Sequence, residues 1–232
     1  MTDNLDVIRY NLESVRSRIH TAAVKAGRDS ENIRVIAVSK TVGAESIKAA
    51  YRCGITNFGE NRVQELCGKT DILDIKCDWH LIGHLQTNKV KYIIDRVRMI
   101  HSLDSLELAR EIDRRAEKAG KKMDVLVQVN VAGEDTKFGI DPSNVHSFVR
   151  DASNLGNIRV KGLMTIAPIA ADPEDVRWVF AGLRKLLIDM RKENIDNVDM
   201  DYLSMGMSND FEVAIEEGAD MVRIGTALFG KR

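Results

Sequence analysis

The chain has 232 residues, 34 lysines and arginines against 35 aspartates and glutamates, and a formal net charge of −1. That balance excludes the basic footprint of a nucleic-acid or anionic-membrane binder, and 44% hydrophobic with 30% charged residues excludes a disordered chain. Aromatic residues, 5% of the total, are not interleaved with basic clusters, which argues against single-strand stacking. The cysteines Cys53, Cys67 and Cys77 form no C-x-x-C pair and read as free thiols of a reducing compartment. The first residues are polar and acidic, and no run of about 18 apolar residues occurs. A soluble, cytoplasmic protein is expected, with one domain spanning residues 1–232.

In chain order, Leu5, Ile8, Leu12, Val15, Ile19 and Ala22/Ala23 fall at spacings of three and four, with Gly27 beyond them. The pattern predicts an amphipathic helix over 5–26 that either caps the bottom of a barrel or packs against its side. Arg34-Val35-Ile36-Ala37-Val38-Ser39-Lys40 follows, a strand buried on both faces that ends on a lysine. Helices are then predicted over 45–53, 62–67, 89–95, 105–118, 142–153, 173–193 and 210–217, and strands over 55–59, 79–84, 98–103, 125–131, 160–166, 202–206 and 221–225. Ser105 caps the fourth of these helices and Gly120 ends it; Pro142 and Pro173 open two others. Strict alternation implies a parallel sheet with right-handed crossovers. A count of eight strands favours an α/β fold of the closed (β/α)8 TIM-barrel type, with an extra N-terminal helix and active residues where strands end. The dinucleotide and P-loop fingerprints are absent.

Lys40 is the unusual residue. A strand tip has no structural use for an ammonium, whereas a desolvated amine of lowered pKa suits Schiff-base chemistry with an aldehyde; the plain alternative is a solvated strand end. Ser204-Met205-Gly206-Met207-Ser208-Asn209-Asp210 turns from a strand into a helix whose first turn carries Ser208, Asn209 and Asp210, an anion-binding arrangement or an ordinary cap. Gly225 and Thr226 follow strand eight, and the loops after strands seven and eight jointly bind phosphate in many barrels. Barrel closure makes strand one the neighbour of strand eight. An aldehyde-reactive amine beside a phosphate cradle describes pyridoxal 5'-phosphate, with Arg223 as a partner for its pyridine nitrogen.

Ala37-Val38-Ser39-Lys40, Phe58-Gly59-Glu60-Asn61-Arg62-Val63-Gln64-Glu65, Trp79-His80-Leu81-Ile82-Gly83-His84-Leu85-Gln86, Gly162-Leu163-Met164-Thr165, Ser204-Met205-Gly206-Met207-Ser208 and Val222-Arg223-Ile224-Gly225-Thr226 closely resemble the pyridoxal-phosphate homeostasis proteins, single-domain relatives of the alanine racemase barrel. The resemblance implies that Lys40 is the Schiff-base lysine, that Ser208, Gly225 and Thr226 hold the phosphate, that Arg223 faces the pyridine nitrogen, and that Asn61 and Met164 line the ring. It also implies a cofactor-handling protein without turnover, delivering the cofactor to pyridoxal-phosphate-dependent apo-enzymes. Two-domain alanine racemases bring a catalytic tyrosine from a second domain. This sequence runs two residues past Gly230, so racemisation lacks its second acid/base group and a monomer is expected.

Competing readings are specific. His80 and His84 are four apart but lie on a strand and its loop without H-E-x-x-H, so no metal site is expected; contact with cofactor or partner at the barrel mouth is. Lys137, in Glu134-Asp135-Thr136-Lys137-Phe138-Gly139, is the second candidate amine. Ser208 lacks a G-x-S-x-G elbow. A pyridoxal-phosphate racemase would have to recruit a histidine such as His80, and a class I aldolase would form its imine without an aldehyde cofactor.

Overall fold

The computed structural model describes residues 4–134 and 136–230. Among them, strands β1 (Arg34–Val38), β2 (Asn57–Glu60), β3 (Asp78–Leu81), β4 (Met99–Leu103), β5 (Met123–Gln128), β6 (Ile158–Met164), β7 (Val198–Met207) and β8 (Met221–Ile224) bond in chain order into a closed parallel barrel. Helices α1 (Asn4–Lys25), α2 (Ala44–Arg52), α3 (Val63–Ile72), α4 (Val90–Ile93), α5 (Leu106–Lys118), α6 (Val145–Ser153), α7 (Arg177–Arg191), α8 (Phe211–Glu216) and α9 (Thr226–Phe229) complete the alternation. The ring closes between β1 and β8, with Ile36 opposite Arg223 and Ala37 opposite Ile224.

Period-two alternation along each strand separates two cores. Ile36 and Val38 point into the barrel with Ile82, Met99, Leu126, Met164 and Met221. Ala37, Phe58, Leu81, Ile100 and Val125 join the larger shell between strands and helices. Strands covered on both faces need apolar residues at consecutive positions, which is why their centres read so clearly.

Helix α1 buries Ile8, Leu12, Val15, Ile19, Ala22 and Ala23 and packs on α2, α8 and α9, so it lies along the side of the barrel rather than across its bottom. Arg18 grips Glu212 in a two-pronged pair at 2.9 and 2.6 Å. Both groups are over a third exposed, so the apolar stripe carries most of this docking.

Several elements start elsewhere than their apolar residues suggest. Strand β7 begins at Val198 and β6 at Ile158, upstream of the predicted spans. Charged residues alternate with apolar ones near their starts and are satisfied by neighbouring strands: Arg159 holds Asp124 at 2.8 Å, and Lys161 bridges Asp199 and Asp201 at 2.7 and 2.5 Å. Pro142 and Pro173 open short 3-10 turns capped by Asp141 and Asp172, and the α-helices begin at Val145 and Arg177. Helix α3 runs on to Ile72, beyond its predicted end. No helix of the described residues is long and apolar enough to cross a membrane, and Cys53, Cys67 and Cys77 are free thiols.

Gly162 marks a register shift between β6 and β7. Its φ is +150°, and a Cβ there would stand 1.9 Å from the Tyr202 carbonyl oxygen. Gly162→Ala is therefore expected to lower the unfolding free energy by about 3 kcal/mol or more through combined backbone strain and overpacking. Urea denaturation checks it; a loss below about 1 kcal/mol would contradict this view of the β6–β7 seam.

Candidate functional site

The β1 ladder extends one residue past its end, through the Ser39 N–H to the Gly59 carbonyl at 3.0 Å. Lys40 then leaves the barrel at the C-terminal mouth, followed by Thr41 at φ +61°. Its side chain is exposed, which corrects the expectation of a desolvated amine: two residues beyond Val38, no neighbouring strand encloses it. The desolvated amine is instead Lys69 on α3, 8% exposed. Its ammonium donates to the Ser39 carbonyl at 2.5 Å, to Glu60 Oε1 at 2.5 Å and to Glu65 Oε1 at 2.7 Å. Ser39 Oγ donates to the same Glu60 oxygen at 2.6 Å, and Glu65 also accepts the Thr41 N–H. The backbone is thus clamped on both sides of Lys40. Burial pushes the pKa of Glu60 up, against the pull of Lys69 and Ser39. For Glu65 burial also raises it, but the bonds from Lys69 and the Thr41 amide leave it below the ordinary value.

Across the mouth, Ser208 sits in the turn between β7 and α8. Its Oγ accepts the N–H of Gly225 at 3.1 Å and of Ala227 at 3.3 Å, so it caps the turn after β8 rather than starting α8 as the sequence suggested. Asp210 Oδ1 accepts the Met207 N–H at 2.5 Å, which fixes that loop. Arg223 is 3% exposed and donates to Ser204 Oγ at 2.7 Å and the Thr165 carbonyl at 2.8 Å. Burial pulls its pKa down to about 10, partly offset by Asp210.

Lys40, Ser208, Arg223, Gly225 and Thr226 line one cavity of about 420 Å³ together with Val38, Pro168 and Met207, a volume within the range of small-molecule sites. The sequence matches the family described as alanine racemase, N-terminal domain, over residues 4–232. The chain belongs to that family. A pyridoxal phosphate homeostasis protein of Aquifex aeolicus (strain VF5) is 50% identical over 222 residues, covering 95% of this chain and 96% of the relative. A crystal structure of an unknown protein from Bifidobacterium adolescentis is 34% identical with a TM-score of 0.92, covering 99% and 97% of the two chains. PipY of Synechococcus elongatus PCC7942, with PLP bound, is 34% identical with a TM-score of 0.83, covering 96% of this chain and 100% of that one.

Other candidate residues of this alanine racemase-type barrel fall elsewhere. Met164 is fully buried in the inner core, and Asn61 packs its backbone against Gly83, where a Cβ would meet the Asn61 carbonyl oxygen at 2.4 Å; neither lines the cavity. Asn61 Oδ1 is buried without a hydrogen-bond partner. Lys137 pairs with Glu134 away from the cavity lining, and Asp135 lies outside the described residues. His84 does stand at the mouth, bonded to Asp104 at 3.0 Å and stacked on Phe138 at 3.7 Å between ring centroids. His80, expected there too, is instead sealed in the barrel, because it lies within β3 whereas His84 lies in the loop beyond its end. The residues missed by sequence reading are Lys69, Glu60 and Glu65. A signal existed: Val63, Leu66 and Lys69 share one helix face, and Glu65 precedes Lys69 by one turn.

Lys69→Met leaves the Glu60 carboxylate, 0% exposed, without its cation. It should cost about 3 kcal/mol or more of unfolding free energy, while the Glu60→Gln/Lys69→Met double variant recovers part of that loss. A single variant within about 1 kcal/mol of wild type by denaturant titration would show that the clamp is not structural.

Proposed function

We propose that this chain binds pyridoxal 5'-phosphate as a Schiff base on Lys40 and serves intracellular vitamin B6 homeostasis without catalytic turnover. The observation that carries the reading is the convergence of Lys40, Ser208, Arg223, Gly225 and Thr226 on one cavity, although they come from both ends of the sequence. The donor set fits the group. Ser208 Oγ, which accepts from the Gly225 and Ala227 amides, keeps its own hydrogen to give, and Thr226 adds a second hydroxyl on the cavity lining; both suit a phosphate. Lys40 offers a primary amine at the solvent side, and Arg223 keeps N–H donors beyond the two it spends on Ser204 and Thr165.

When bound, the cofactor supplies an aldehyde that condenses with a primary amine and releases water. Lys40 provides that amine, and the Lys69 clamp holds its backbone in place. Arg223, still charged at neutral pH with its pKa near 10, donates a hydrogen bond to the ring nitrogen without surrendering a proton, which keeps the ring a weak electron sink. Met164 packs in the inner core with Val38, which lines the cavity, so it supports the ring's surroundings from behind the lining, and Asn61 is assigned no direct contact. A carrier role is supported by the cavity lining, where the acidic group among the described residues is Asp210, already committed to the Met207 amide. The histidine that a racemase would recruit, His80, is buried and bonded within the barrel. We assign residues 1–232 to one cofactor-binding domain, acting as a cytoplasmic monomer that passes its cargo to pyridoxal-phosphate-dependent apo-enzymes.

Titration of the purified protein with pyridoxal 5'-phosphate should produce an imine absorption band that Lys40→Ala abolishes, while Ser208→Ala binds about tenfold more weakly for one lost phosphate contact. The loaded protein should reactivate an apo-enzyme yet leave L-alanine unracemised. Racemisation that disappears in folded Lys40→Ala would establish an enzyme instead.

A further inference from the structure

A polar chain crosses the barrel interior and ends on Arg223. Ser204 Oγ, which accepts from Arg223 Nη1 at 2.7 Å, stands 2.9 Å from His101 Nδ1. His101 Nε2 stands 2.9 Å from His80 Nδ1, and His80 Nε2 stands 3.2 Å from Asn57 Oδ1. Ser204, His101 and His80 are all 0% exposed. Asn57, at the other end, lines a cavity of about 650 Å³ at the N-terminal mouth.

The chemistry of each link fixes its direction. A guanidinium can only donate, so Ser204 Oγ accepts from Arg223 and has one hydrogen left to give. Its oxygen could accept from His101 as well, so the order is set from the far end: Asn57 Oδ1 can only accept, His80 Nε2 must carry the proton, and neutral rings then leave His101 Nδ1 bare to take the Ser204 hydrogen. His101 Nε2–H donates to His80 Nδ1, and His80 Nε2–H donates to Asn57 Oδ1. The Asn57 amide is oriented accordingly, its Nδ2 donating to Thr56 Oγ1 at 3.2 Å. The reverse order fails at the last link, where two acceptors would face each other. Both imidazoles must also be neutral. Burial, helped by the positive field of Arg34 and Arg98, pulls His80 down to about 3. Burial, with His80, Arg223 and Arg34, holds His101 well below the ordinary histidine range.

We propose that His101 and His80 are positioning residues for Arg223, forming a one-way donor chain that holds the guanidinium at the floor of the cofactor cavity. Ser204 accepts more strongly while it donates onward, because linked hydrogen bonds polarise one another. Cut the chain at His101, and the Ser204 hydroxyl hydrogen loses its acceptor and Arg223 loses a fixed anchor. The inference rests on the cofactor reading above, since Arg223 matters through the ring nitrogen it would meet.

The test compares wild type, His101→Leu and His101→Asn, each titrated with pyridoxal 5'-phosphate and with its 1-deaza analogue, in which C–H replaces the ring nitrogen. His101→Leu should bind pyridoxal 5'-phosphate about tenfold more weakly and the analogue unchanged, as the loss of one oriented hydrogen bond requires. His101→Asn, whose Oδ1 can replace Nδ1 as the acceptor for Ser204, should stay within about threefold of wild type. A purely packing role would instead favour leucine over the smaller asparagine. Equal losses for both ligands, or asparagine no better than leucine, overturn the inference alone. A wild type that takes up neither ligand overturns it together with the cofactor reading. Independently of any ligand, ¹⁵N NMR of the protein should show both buried imidazoles as neutral Nε2–H tautomers, and a proton on His101 Nδ1 would refute the direction of the chain.

Discussion

Pairing of β1 with β8 is the constraint on which the mouth of this barrel depends. It sets Ile36 beside Arg223 and Ala37 beside Ile224, so residues from the two ends of the sequence share one cavity. Open the ring at that seam, and the amine of Lys40 and the Ser208–Gly225 turn no longer face a common space. Each strand contributes its tip to the same rim, and loop chemistry there is free to vary while the two cores hold the ring closed.

Charge burial is arranged to hold backbone and side chains in place around the cavity rather than inside it. Glu60 and Lys69 are both desolvated, and each would be costly without the other. Their pairing fixes the chain immediately before Lys40, while Glu65 fixes the amide immediately after. Lys40 itself remains exposed, a rigidly mounted but accessible amine. Arg223 is held from below by Ser204 and from the side by the Thr165 carbonyl. The frame around the cavity is fixed while the approach to Lys40 stays open.

The barrel was legible because strands covered on both faces favour unbroken apolar centres, as in residues 35–38 of β1 and 125–127 of β5, and because the more polar strands such as β2 alternate with helices along the whole chain. Strand starts were not, since Arg159, Asp199 and Asp201 look like loop residues until their partners on neighbouring strands are known. The meeting of Lys40, Ser208, Arg223, Gly225 and Thr226 at one mouth was legible from strand order, because barrel closure makes β1 the neighbour of β8. The environment of Lys40 was misjudged because burial in a strand does not extend past its last paired residue. Lys69, His80 and His101 show the general difficulty: whether a polar residue on an apolar face is buried and satisfied depends on partners such as Glu60 on β2 or Ser204 on β7, distant in sequence and unmarked by local pattern.

The most direct test of the Lys40 assignment is covalent mapping. The purified protein is loaded with pyridoxal 5'-phosphate, reduced with borohydride and digested, and the modified lysine is located by mass spectrometry. A single reduced adduct is expected, on the peptide carrying Lys40. An adduct on Lys69 or Lys137 with Lys40 unmodified, or no adduct at all, would contradict it.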